Sequence, residues 1–162
     1  MVSAVRQGVP TSRRRVLKTR QFARWARGVA LDEAVLCNAV AEMAAGLVDA
    51  DLGGGLVKKR VGLPGRGKRG GARTVVATSS GDRWFFILGF AKNESDNIDK
   101  RRHRAMSGHG RALLTLSPLE IDQEVGRGKL EEICRETEDE TRRSNHGDRS
   151  WRRARPVHFR AD

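Results

Sequence analysis

A mixed domain of helices and antiparallel strands is what this sequence predicts, and three observations carry the prediction. Apolar residues recur at helical spacing between Leu31 and Gly46. Three strand-like runs joined by short loops follow between Leu56 and Phe90. The length, 162 residues, suits one compact domain with tails rather than two large ones. Hydrophobic residues make up 38% of the chain. That supports a modest core and leaves part of the chain outside it.

The first 14 residues carry Arg6, Arg13 and Arg14 and no acid, with Gly8 and Pro10 as breakers. They read as a disordered basic arm. Val16 to Thr19 reads as a short first strand. Gln21 to Gly28 places Phe22, Trp25 and Ala26 on one helical stripe. In the next helix Asp32 is the expected N-cap, Val35, Leu36, Ala39, Val40, Met43 and Ala44 form the core face, and Gly46 fits the stop. Asp51 to Gly55 reads as a flexible turn. Leu56 to Leu63, Arg73 to Thr78 and Arg83 to Phe90 then read as an antiparallel meander. Trp84 to Leu88 is apolar on both faces, so the third strand is expected to be central.

Lys100 to Gly110 is basic and only weakly periodic, and it does not make the apolar stripe expected of the next helix. Ser117, Pro118 and Glu120 spell a helix start with a capping box, and the helix should reach about Val125. Gly128 to Ile133 reads as one more helical turn. An acidic cluster from Glu136 to Glu140 and an Arg-rich stretch follow. The domain is therefore drawn at residues 15–134, with a disordered charged tail at 135–162.

Composition excludes several classes. No apolar run approaches the roughly 20 residues of a transmembrane helix, so no membrane partner is expected. The start lacks the apolar stretch of a secretory signal, although organellar transit peptides share its Arg-rich, acid-free character. Cys37 and Cys134 stand far apart without further cysteines. Neither a disulfide scaffold nor a cysteine-rich zinc site is expected, and the chain reads as cytosolic. Lys plus Arg number 32 against 20 Asp plus Glu, a net charge of +12. Such a surface attracts polyanions, of which nucleic acid is the commonest.

The chemistry is concentrated between Val57 and Arg73. This segment holds Lys58, Lys59, Arg60, Arg66, Lys68, Arg69 and Arg73 and no acid. Lys58 and Arg60 are two apart on a strand and share a face. Arg73 opens the next strand and comes near them if the two strands pair. Such a cluster can position phosphates and stabilise a phosphoryl transition state. The plainer alternative is a solvated basic loop that coats RNA or DNA without chemistry. A P-loop is excluded, because Arg69 and not Ser or Thr follows Lys68.

Five segments together resemble a known family. They are Arg24-Trp25-Ala26-Arg27, the run Leu47 to Gly54, the Lys58 to Arg73 block, Asp82-Arg83-Trp84-Phe85-Phe86, and Gly89-Phe90-Ala91-Lys92-Asn93-Glu94. The resemblance is to RelE/HigB-like toxins of bacterial type II toxin–antitoxin systems, in particular the phage-derived HigB-type branch of the RelE/ParE superfamily. It spans Val16 to Asn97 and, more faintly, Leu113 to Cys134. It implies an α+β fold with two N-terminal helices packed on a small twisted antiparallel sheet, then C-terminal helical material. It also implies a metal-independent, cofactor-free, ribosome-dependent mRNA endoribonuclease. The implied partners are mRNA, ribosomal RNA and a cognate antitoxin with a helix-turn-helix domain. By the same resemblance Lys58, Arg60, Arg73 and Lys92 are the catalytic candidates and Asn93 an RNA-binding one, while Lys59, Arg66, Lys68 and Arg69 of the cationic run are further RNA-binding candidates. The tyrosine that RelE uses is missing, since the chain has none. Lys58 among its neighbouring cations becomes the candidate proton acceptor, with His103 and His109 after the sheet as further groups. Two other readings use the same cations or fold: a non-catalytic RNA- or antitoxin-binding remnant, and a ParE-like gyrase poison.

Overall fold

The computed structural model describes residues 14–79, 81–91 and 100–135. Ten elements follow in order: β1 (Arg15–Thr19), α1 (Arg20–Gly28), α2 (Glu33–Ala44), β2 (Ala50–Gly53), β3 (Leu56–Leu63), β4 (Gly67–Ala77), β5 (Arg83–Ala91), α3 (Lys100–Leu114), α4 (Pro118–Gly126) and β6 (Leu130–Ile133). The strands form one six-stranded sheet in the order β2-β3-β4-β5-β1-β6. Apart from Arg14 and Arg135, the expected basic arm and charged tail lie outside the described residues.

Three of the helices begin where a side chain can cap them. The Thr19 hydroxyl accepts from Phe22 N–H at 3.1 Å. Asp32 Oδ1 accepts from Ala34 N–H at 3.1 Å. Ser117 and Glu120 form the reciprocal capping box, with Pro118 at the first turn. Each cap satisfies donors that the helix itself leaves unpaired.

The sheet is covered on both sides. On one face Phe22, Ala26, Leu36, Val40 and Met43 of α1 and α2 pack on Val16, Val61, Val76, Trp84 and Phe86. On the other, Met106 and Leu113 of α3 and Ile121 of α4 pack on Leu17, Leu56, Val75, Phe85 and Ile87. Strand β5 alternates between these two cores and sits between β4 and β1, as its continuous apolar run requires. Two glycines admit close packing. A Cβ on Gly89 would lie 2.1 Å from the Trp25 ring, so α1 can rest its indole directly on β5. A Cβ on Gly110 would meet Leu56, Ala77 and Ile87 at 3.1–3.5 Å, so α3 sits low over the sheet.

The structure corrects the expected architecture in four places. The sheet is mixed and not purely antiparallel, because β1 inserts parallel to β5 and antiparallel to β6. The stretches expected as a turn at Asp51–Gly53 and as a helical turn before Ile133 contribute to the edge strands β2 and β6. The basic segment from Lys100 is a regular helix of 15 residues. Cys37 and Cys134 are bridged, with Cα atoms 5.7 Å apart. The reason for the bridge is spatial: α2 covers the sheet face on which the chain leaves β6, so sequence distance says nothing about separation.

Ion pairs fasten β6 to the centre. Arg15 bonds Glu132 and Asp122, each at 2.8 Å. The hydrogen bonds that Arg15 donates to Glu132, opposed by burial and helped by Asp122, push its guanidinium further above its ordinary value. Lys18, almost fully buried, reaches Glu33 at 3.4 Å and Glu131 at 3.5 Å.

Candidate functional site

The β3–β4 hairpin builds the site by register. Arg60 and Arg73 are direct cross-strand partners, and Lys58 lies opposite Val75, the next position on that face. Residues directly opposite in an antiparallel pair point the same way, and so do residues two apart on one strand. Lys58, Arg60 and Arg73 therefore share one sheet face, the one that carries Val75 and α3. Beyond Leu56 and Ala77, where Gly110 presses, this face runs toward the hairpin end. Arg60 is exposed, Lys58 half-buried and Arg73 buried, with the buried Phe90 of β5 opposite Arg73 on its other side.

Arg60 is held from the edge. Its backbone N–H donates to Asp49 Oδ2 at 2.7 Å, and its guanidinium Nε lies 3.7 Å from Asp49 Oδ1. Asp49 is itself fixed by its N–H donating to the Lys58 carbonyl at 2.9 Å. Like charges placed directly opposite on a sheet destabilise it. Asp49 beside Arg60 offsets part of that cost.

A curved, tight hairpin presents these side chains. The β3–β4 register shifts between Val61 and Leu63. A Cβ on Gly71 would lie 2.0 Å from the Val61 carbonyl, so only glycine fits this approach. Arg66 and Arg69 stand exposed near the hairpin tip. Lys68 falls on β4.

A family model described as the RelE toxin of the RelE / RelB toxin–antitoxin system matches residues 14–133. The chain belongs to the RelE toxin family. It is a toxin of a toxin–antitoxin system, and RelE-family toxins are generally endoribonucleases with an antitoxin partner. A search of curated proteins finds no match.

Within this RelE-type toxin the expected residues divide. Lys58, Arg60 and Arg73 converge on one face. Lys59 does not join them. It points to the opposite face, is 5% exposed, and donates to Glu42 Oε1 at 2.8 Å and to the Leu47 carbonyl at 2.9 Å. Its expected place on an RNA-facing surface is corrected by strand alternation: one step along β3 reverses the side chain. Lys92 and Asn93 lie outside the described residues. His103 Nε2 sits 2.9 Å from the Leu52 carbonyl, at the β2 edge. His109 turns away and lines a cavity of about 420 Å³ with Arg20, Leu113, Leu116 and Lys129. Among the described residues no three His, Cys, Asp or Glu side chains cluster as metal ligands would. Asp49 was missed by sequence reasoning. Its one signal is its position, the residue before a strand that pairs Ala50 with Lys58.

No helix among the described residues is long and apolar enough to cross a membrane.

Proposed function

We propose that this RelE-type toxin is a ribosome-dependent mRNA endoribonuclease, and that Lys58, Arg60 and Arg73 carry the reaction. The observation that supports the reading is the convergence of these three cations on one sheet face, with Asp49 orienting Arg60. The substrate supplies its own nucleophile. The 2′-oxygen forms a bond to the adjacent phosphorus, the bond from phosphorus to the 5′-oxygen breaks, and a 2′,3′-cyclic phosphate and a 5′-hydroxyl result. Charge accumulates on the phosphorane oxygens, where Arg60 and Arg73 can donate hydrogen bonds from permanently charged guanidiniums. An amine can exchange protons where a guanidinium cannot. Lys58 is therefore assigned the proton of the 2′-hydroxyl, and its protonated form can return a proton to the 5′-oxygen. Holding the linkage in line is the remaining task, and Arg66, Lys68 and Arg69 at the hairpin are assigned to the RNA backbone for it.

Under this reading no metal ion takes part in the step. The ribosome delivers the mRNA in an extended form, and the neutralising partner is an antitoxin of the helix-turn-helix kind, as the HigB-like motifs suggest. Primer extension on translated mRNA tests the proposal. Wild-type protein should cut within translated codons, and Lys58→Ala or Arg73→Ala should each lower cleavage by about 10²–10⁴-fold. Undiminished cutting by the double variant overturns the site. Growth arrest with intact mRNA and trapped gyrase–DNA complexes overturns the activity.

A further inference from the structure

Helix α3 carries a pattern that neither the core nor the proposed cleavage site uses. Its 15 residues include Lys100, Arg101, Arg102, Arg104 and Arg111 and no Asp or Glu. Met106, Gly110 and Leu113 face the sheet. At 3.6 residues per turn, Lys100, Arg101, Arg104, Gly108 and Arg111 fall within an arc of about 100° on the outward side. All five are exposed. Among the described residues, none of Lys100, Arg101, Arg104 and Arg111 forms an ion pair with an acid.

The stripe is costly to the helix that bears it. Four cations crowd the first turn and a half, where the helix dipole favours acids, and the first turn has none. Neighbouring like charges at i, i+3 and i, i+4 add to the cost. Gly108 weakens the helix further. Unlike Gly110 it has no steric reason to be glycine, since a Cβ there would meet nothing within 4 Å. Local choices that all oppose the local fold mark a functional surface.

Its location is also specific. The stripe borders the flank of α3 whose side chains meet the β2–β3 edge. There His103 approaches the Leu52 carbonyl, Ser107 lies beside Gly54, and Leu114 lies beside Gly55. That edge carries Asp49, Lys58 and Arg60, and α3 covers the same sheet face on which Lys58, Arg60 and Arg73 converge. We propose that the outward stripe Lys100–Arg101–Arg104–Arg111 is a second phosphate-contacting surface, and that it grips the backbone of folded RNA beside the linkage to be cut. The bare Gly108 lets that backbone approach the helix closely. This proposal rests on the reading of the protein as an RNA-directed toxin, but it concerns holding and not cutting.

The test uses the full chain and a fluorescein-labelled RNA hairpin, with anisotropy measured across salt concentrations and cleavage read separately on a gel. Arg101→Gln/Arg104→Gln/Arg111→Gln should weaken binding by about tenfold or more at 0.15 M salt and should lower the salt slope by about 2. Gly108→Glu places an anion in the middle of the stripe while improving helix propensity. It should raise the melting temperature and still weaken RNA binding, a combination that damaged folding cannot produce. Unchanged affinity and salt slope in both variants overturn the proposal. If wild-type protein binds the hairpin through the stripe but leaves translated mRNA uncut, the cleavage reading fails and this one stands.

Discussion

Lys59 turns away from Lys58 and Arg60 into the helix-covered face, where Glu42 and the Leu47 carbonyl hold its ammonium. Its role is to tie α2 and the chain after it to β3. Lys59→Met should lower stability by about 1–3 kcal/mol, because Glu42 then loses a charged partner. Binding to labelled RNA should keep its affinity and salt slope, and the pair of measurements separates this buried lysine from the cations opposite. Asp49 makes the reverse case. Asp49→Ala should leave thermal stability nearly unchanged, since its contacts are partly solvated. Its effect should fall on cleavage, where a freed Arg60 no longer lies over the linkage. The candidate site's geometry was legible in part because period-two alternation assigns Lys58 and Arg60 to one face from spacing alone. The same alternation excluded Lys59, which only the charge run had recommended. Nothing in the spacing pointed to Asp49, whose contact with Arg60 depends on how β2 pairs.

The elements that sequence reasoning located well are those with local signals. Asp32 and Ser117 cap α2 and α4 as their residue types require, and β3 runs over the expected residues. The elements it missed depend on distant partners. Strand β2 has only four residues and exists by pairing with β3, and β6 exists by pairing with β1. Helix α3 carries a weak sequence signal because Gly110 interrupts its apolar stripe and exposed Gly108 lowers its helix propensity. Gly110 replaces a side chain with contact to Leu56, Ala77 and Ile87, so packing supplies what the pattern lacks. Gly89 plays a matching part on the other face under Trp25. Gly89→Ala should displace the indole and cost about 1–3 kcal/mol in denaturant unfolding, with the secondary structure retained by circular dichroism.

At the scale of the whole molecule the chain closes on itself. Strand β1 sits between β5 and β6, so the first and last described strands are neighbours in the sheet. Arg15 and Lys18 fasten them by charge, and the Cys37–Cys134 bridge adds a covalent tie from α2 to the residue after β6. Joining residues this distant in sequence restricts the unfolded chain strongly. Reduction, or Cys37→Ser, should lower unfolding stability by about 3–5 kcal/mol in the chain-entropy account. Comparing denaturation midpoints with and without reductant checks this. An unchanged midpoint means that the ion pairs suffice to close the sheet. The parallel pairing of β1 with β5 could not be read from local patterns, because it is made only after two helices and three further strands have intervened.

The two outermost strands of the sheet, β2 and β6, are each four residues long. Exposed strand rims are the usual template on which foreign chains stack, and short rims are one way proteins blunt that hazard. A visiting strand at either border would find few main-chain donors and acceptors to match. Concentrated solutions of the protein should therefore resist fibre growth by ladder extension at β2 and β6.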